Sequence, residues 1–140
     1  PMIQRLVVAY LVTLVAFIVI DVPYLMTFGV PMFRAVLGDV LLQDARLLPA
    51  ALFYLLFPAG IVHFAIRPAL ASGSLATAAG NGAAFGFFAY MTYEMTNHAT
   101  MRLWSWSLVI TDTAWGTVLT ALSAVIGLRA ARRVSAQAPG

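Results

Sequence analysis

Residues 6–33 read LVVAYLVTLVAFIVIDVPYLMTFGVPMF, and within them Asp21 is the one side chain that carries a charge at neutral pH. A hydrocarbon core about 30 Å thick is crossed by a helix of roughly 20 apolar residues. Because lipid offers no partners for backbone polar groups, the stretch is predicted to cross a membrane as a helix. No Ala-x-Ala-like pattern stands near its end, so we expect a retained first span and not a cleaved signal peptide.

The rest of the chain has the same character. Of its 140 residues, 62% are hydrophobic and 9% are charged, and the mean hydropathy is +0.92. Soluble domains carry about 25% charged residues, so a soluble domain, a disordered segment and a nucleic-acid-binding arm are excluded. The sequence has no Lys and no Cys. That excludes P-loop and Schiff-base chemistry, thiol catalysis and cysteine-held metal centres.

Four apolar runs predict spans near 5–28, 49–67, 75–97 and 104–129. The chain, 1–140, is therefore predicted to be a single transmembrane domain, an all-α four-helix bundle with both termini on one side and a flexible tail at 134–140. Gly82-x-x-x-Gly86 in the third span allows a neighbouring helix to approach closely.

Residues 31–49, PMFRAVLGDVLLQDARLLP, carry apolar residues at helical spacing between spans one and two. They predict an amphipathic connection, which is an interfacial helix, a cap over the bundle or a structured loop.

Arginine sets the predicted orientation. The side that holds the termini carries Arg5, Arg67, Arg129, Arg132 and Arg133, and the other side carries Arg34, Arg46 and Arg102. Because basic residues are enriched on the cytoplasmic side, both termini are predicted to be cytoplasmic.

Three carboxyl groups lie in the predicted spans. Counting residues at 1.5 Å each places Asp21 and Asp112 roughly 10–12 Å below the outer boundary, with Glu94 nearer the surface. Each acid shares its helix face with small, polar or aromatic residues, and a lipid-facing carboxylate costs about 3 kcal/mol, so all three are expected to face the bundle interior. Together with Asn97 and Trp115 they predict a polar pocket in the outer half of the bundle.

The three tryptophans divide into two groups. An aromatic belt at the membrane interface accounts for Trp104 and Trp106. Trp115 lies deeper, one turn beyond Asp112, where its indole N–H needs a partner such as Asp21 or Glu94.

The acids have alternative interpretations. In the first, the acids hold helices together, either protonated or paired with Arg34, Arg102 or His98. In the second, they form a binding site for a ligand or a proton. Glu94 and His98 share a helix face, but one histidine with scattered carboxylates is a poor metal signature, so no metal ligand is assigned. The residues identify no cofactor.

Several stretches together resemble a family of small bacterial four-helix inner-membrane proteins known only as a domain of unknown function. They are Asp21 to Tyr24, Phe33-Arg34 with Leu37-Gly38, FYLLFPAGIVHFAIRPAL at 53–70, YEMTNHATM at 93–101 and DTAWG at 112–116. The resemblance implies a bacterial inner-membrane location. It also implies that Glu94, Thr96, Asn97, Asp112 and Trp115 occupy the family's shared polar positions. The family's usual residue at position 94 is Asp, and position 98 is variable.

The first hypothesis for function is therefore a small inner-membrane protein that binds a lipid or small amphiphile in its outer-half pocket. The alternative is an accessory or scaffold subunit of a larger membrane assembly, which docks other subunits or a second copy of itself. A third hypothesis is a lipid-modifying enzyme with Glu94 or Asp112 as general acid or base, for which the residues identify no substrate. The bilayer is the expected surrounding in each case, and no nucleic acid is expected.

Overall fold

A computed structural model of the chain describes residues 1–137. Helices occupy most of this range, no β-strand occurs in it, and the last helix runs through Gln137. The predicted tail at 134–140 thus begins inside that helix, and residues 138–140 lie outside the described residues. The fold class is all-α.

Within residues 1–137 six α-helices follow one another: α1 (Met2–Tyr24), α2 (Val30–Leu37), α3 (Leu47–Ile61), α4 (Arg67–Ser72), α5 (Leu75–Thr100) and α6 (Trp106–Gln137). The helix that begins with α1 continues through α2 as one rod, Met2–Val40, and α3 continues through α4 as another, Leu47–Ser72. These two rods and the segment Trp106–Val134 are long and apolar enough to cross a membrane. The protein therefore has three candidate membrane spans in the described range.

The remaining long helix, α5, has 26 residues but is not among the candidate membrane spans, because it has no sufficiently apolar stretch of 18 residues. Its sequence includes Gly80, Asn81, Gly82 and Gly86, which lower its hydropathy. Ser74 begins the helix, because its side chain accepts a hydrogen bond from the backbone N–H of Thr77.

Proline shapes both long rods. Pro23 and Pro58 lie inside α1 and α3, where each removes one backbone donor. A π-helical turn follows each of them, at Leu25–Gly29 and at Val62–Ile66. Because such turns accommodate an interrupted hydrogen-bond ladder, the rods continue past the prolines.

The predicted amphipathic connection, 31–49, divides into three parts. Its first residues belong to α2 and extend the first rod, a 3₁₀ turn follows at Gly38–Val40, and α3 has begun by Leu47. Leu37 and its neighbours on α2 pack against Trp104, Leu108 and Val109. This part of the connection thus covers the start of α6.

The helix packing is centred on α6, which contacts α5 most extensively and α1 next. Glycine explains how closely α5 and α6 approach. A Cβ atom on Gly86 would lie 2.4 Å from the carbonyl oxygen of Gly116, and one on Gly82 would lie 3.1 Å from the backbone of Ala121. The close approach expected from Gly82 and Gly86 is confirmed.

Candidate functional site

Asp21 is the polar centre of the site. It is 5% exposed, and both of its carboxyl oxygens accept hydrogen bonds. The hydroxyl of Tyr54 on α3 donates to Oδ2 at 2.5 Å, and the indole Nε1 of Trp115 on α6 donates to Oδ1 at 2.9 Å. The partner expected for the Trp115 N–H is thus confirmed, and Asp21 joins three helices.

A cavity of about 480 Å³ opens beside Asp21. All four long helical segments contribute to its wall, and eight of its thirteen lining residues are aromatic. Its two acidic groups are the carboxyls of Asp21 and Asp112. The lining residues are Asp21, Tyr24, Leu25, Phe33, Ala50, Phe53, Tyr54, Phe57, Ala89, Tyr90, Tyr93, Asp112 and Trp115.

Aromatic rings hold the wall in place. Tyr24 stacks on Trp115 with the ring centres 3.9 Å apart and the ring planes 13° apart. The ring of Tyr90 lies directly on Gly116, since a Cβ atom there would be 2.2 Å from the ring. The hydroxyl oxygen of Tyr24 is buried and has no hydrogen-bond partner in the described part of the chain. The wall therefore combines tightly packed aromatic rings with the hydroxyl of Tyr24, which has no hydrogen-bond partner among the described residues.

Glu94 lies behind Asp112 and completes the cluster of acids. It is fully buried, and its Oε2 accepts a hydrogen bond from Nε1 of Trp104 at 2.8 Å. The carboxyl groups of Glu94 and Asp112 interact with each other, and Asp112 also interacts with Asp21. The other oxygen of Glu94, Oε1, is buried without a hydrogen-bond partner among the described residues.

The five residues predicted for the pocket take three different positions. Asp21, Asp112 and Trp115 line the cavity, whereas Glu94 does not reach its wall. Asn97 is half-buried, lies outside the wall and interacts with the side chain of Tyr93. The three acids nevertheless lie together, and none of them is on a separate outward-facing surface.

The interpretation of Trp104 as part of an interfacial belt is wrong. Its side chain is 8% exposed and bonds Glu94, whereas Trp106 is 58% exposed. The difference arises because Trp104 precedes α6 and packs beneath α2, in the cluster that holds Leu37 and Leu108. Sequence position alone places both tryptophans at the same depth.

Tyr54 is the main site residue that the prediction lacked. Within Leu47–Ile61 it is the one side chain with a hydrogen-bond donor, because the rest of α3 reads as Leu, Ala, Phe, Pro, Gly and Ile. A lone donor on an apolar helix, near the depth of Asp21, is the signal that would have identified it. Tyr24 and Tyr90 share helix faces with the predicted acids.

The interactions of the acids with other described residues involve none of Arg34, Arg102 and His98. The groups that act on Glu94 and Asp112 are Trp104, Asp21 and each other, with no arginine among them in the described range. The ring of His98 packs on Trp106 at 4.7 Å between ring centres. Among the residues described, no group of three or more His, Cys, Asp or Glu side chains has the arrangement to hold a metal ion.

A second space, a groove of about 500 Å³, lies between α5 and α6. Phe87, Met91 and Met95 form its α5 side, and residues between Trp106 and Val118 form its α6 side. Its polar groups are Thr113 and Thr117. The Thr117 hydroxyl donates to the backbone oxygen of Thr113 at 2.7 Å, whereas the Thr113 hydroxyl is buried with no partner among the described residues.

Long apolar helices around a buried acidic cluster define the class as a multi-helix membrane protein. A family described as "Predicted membrane protein (DUF2177)" matches residues 6–129. The chain belongs to this family, whose function is unknown, and the resemblance inferred from its motifs is confirmed in that respect. No curated protein and no solved structure matches the chain.

Proposed function

We propose that the protein spans the bacterial inner membrane four times and binds a lipid or small amphiphile in the cavity beside Asp21. The fourth span is α5, whose 26 residues have a length of about 39 Å at 1.5 Å each. The excess of arginine near the ends of the chain supports cytoplasmic termini. With this orientation the cavity lies toward the periplasmic leaflet.

The observation that carries the proposal is the lining of the cavity. Small-molecule sites have volumes of roughly 300–1,000 Å³ and mostly apolar walls with a few polar groups that fix orientation. The cavity has about 480 Å³, aromatic rings from all four long helical segments and two carboxyl groups. An amphiphile matches this lining, because it offers an apolar chain to the rings and a polar end to the acids.

Filling the cavity is the direct test. Ala89 lines the cavity and Ala114 lines the groove, so Ala89→Trp and Ala114→Trp are matched additions of the same side chain. Native mass spectrometry of the detergent-solubilised full chain measures the bound small molecules. We expect a bound amphiphile on the wild type and on Ala114→Trp, and at least about a tenfold lower occupancy on Ala89→Trp. Equal occupancy in the two folded variants, or no bound amphiphile on the folded wild type, contradicts the proposal.

The groove supports a second candidate function, that of an accessory subunit. Interfaces between membrane helices use small residues and hydroxyl groups. The α6 side of the groove offers Ala114 beside the hydroxyl of Thr113, which has no partner among the described residues. A membrane helix of another chain fits these features. The same two variants separate the candidates, since a docked subunit is lost from Ala114→Trp and retained by Ala89→Trp.

A further inference from the structure

Both hydrogen-bond partners of Asp21 are neutral groups. Both oxygens of Asp21 accept, one from the hydroxyl of Tyr54 and one from the indole of Trp115. Because both donors are neutral, neither supplies a positive charge beside the carboxyl group of Asp21.

The described wall of the cavity supplies no positive charge. Among the described residues that line the cavity there is no Arg and no His, and the second acidic group is the carboxyl of Asp112. Behind it, the fully buried Glu94 has an oxygen with no hydrogen-bond partner among the described residues. Ionisable groups inside membranes are normally paired or face a water-filled space. Within the described part of the chain, the acidic cluster therefore has more acceptors than donors and no neighbouring cation.

The walls of the cavity suit an organic cation. Ring faces attract a positive charge within about 6 Å of the ring centre, and groups of such rings recognise quaternary ammonium ligands. Tyr24 and Trp115 form a stacked pair beside Asp21, and Tyr90 is fixed against Gly116. Phe53 and Phe57 provide apolar wall for an attached chain.

We infer that the ligand of this cavity is a cationic amphiphile, whose amine or quaternary ammonium group lies between Asp21 and Asp112 against the tyrosine and tryptophan rings. This inference rests on the proposed function, because it names the chemical class of the ligand for the same cavity.

Three probes with the same twelve-carbon chain test the charge of the ligand. They are dodecyltrimethylammonium, dodecanol and dodecanoate, titrated into the full chain in neutral maltoside micelles. Tryptophan fluorescence follows binding, because Trp115 lines the cavity. We expect the cation to bind at least about ten times more tightly than dodecanol, and dodecanoate to bind weakest.

Two carboxamide variants isolate the role of the acid. Asp112→Asn removes an acidic group from the cavity and preserves the shape of the side chain, and Asp39→Asn removes an exposed acidic group from the connection after α2. We expect Asp112→Asn to reduce the preference for the cation to within about threefold, and Asp39→Asn to retain it. The thermal unfolding of each variant confirms that it is folded.

The outcomes distinguish a wrong ligand class from a cavity that binds no amphiphile. If dodecanol or dodecanoate binds as tightly as the cation to the wild type, or if Asp112→Asn keeps the full preference, the cationic ligand is wrong while the cavity still binds amphiphiles. If none of the three probes binds to the folded wild type, the proposed function fails as well.

Discussion

The cavity and the groove have nearly the same volume, about 480 and 500 Å³, but they differ in chemistry. Both use α5 and α6. Four consecutive residues of α6 are divided between the cavity and the groove. Asp112 and Trp115 face the cavity, whereas Thr113 and Ala114 face the groove. Since successive residues turn by about 100° around a helix, one segment serves both surfaces. The volumes therefore do not distinguish the cavity from the groove. The two differ because acidic side chains line the cavity.

The largest effect is expected from Asp21→Ala, which removes the acceptor for two donors on different helices. Leaving a buried donor unpaired costs about 1–3 kcal/mol, so the loss of both bonds is expected to lower the free energy of unfolding by about 2–6 kcal/mol. Thermal or denaturant unfolding in detergent measures it. Asp39→Ala, at an exposed acid, is the control and is expected to change stability by less than about 0.5 kcal/mol.

Equal stability of these two alanine variants would show that Asp21 does not join the helices. The bonds to Tyr54 and Trp115 would then contribute to ligand binding alone, and the contrast between the cavity and the groove would concern binding and not folding.

Helix periodicity accounts for what the sequence could predict at this site. The inward direction of Asp21 and Asp112, and a carboxyl partner for Trp115, follow from their positions on helix faces. Periodicity does not say which neighbouring helix lies opposite a residue, so it cannot pair Tyr54 with Asp21. It also fails outside helices, and Trp104 lies just before α6, where packing against α2 sets its direction.

The length of the first rod could not be predicted from the apolar runs either. They predict a first span that ends near 28, whereas the rod runs to Val40. A π-helical turn absorbs Pro23, and contacts of α2 with Leu108 and Val109 favour continuation of the helix. Such contacts join residues about 70 positions apart, which no local window of sequence contains.

An intermediate effect is expected from Trp104→Phe. Trp104 donates to Glu94 beside the acids, and Trp106, two residues later, lines the groove. The change to Phe keeps an aromatic ring and removes the N–H, so Glu94 loses its one donor among the described hydrogen bonds, at a cost of about 1–3 kcal/mol. Trp106→Phe is the matched control and is expected to be neutral within about 0.5 kcal/mol. Unfolding in detergent compares the two, and a larger loss in Trp106→Phe would contradict the assignment.

The smallest effect is expected in the groove, where Thr113→Val removes a buried hydroxyl that has no partner among the described residues. Replacing such a group by an apolar one of the same shape is neutral or stabilising, by up to about 1 kcal/mol. Thr117→Val, one turn later, removes a hydroxyl that donates to the backbone of Thr113 and is expected to cost about 0.5–1.5 kcal/mol.

The opposite signs of these two changes test the groove without knowledge of any partner. If Thr113→Val destabilises the purified chain as much as Thr117→Val does, its hydroxyl has a partner within the protein. If Thr113→Val leaves the purified chain unchanged but releases a protein that copurifies from membranes with the wild type, the groove is an interface, because a hydroxyl in lipid is satisfied by a neighbouring helix. The cavity variants are expected to leave such a complex intact, so the two surfaces would act independently on one helix.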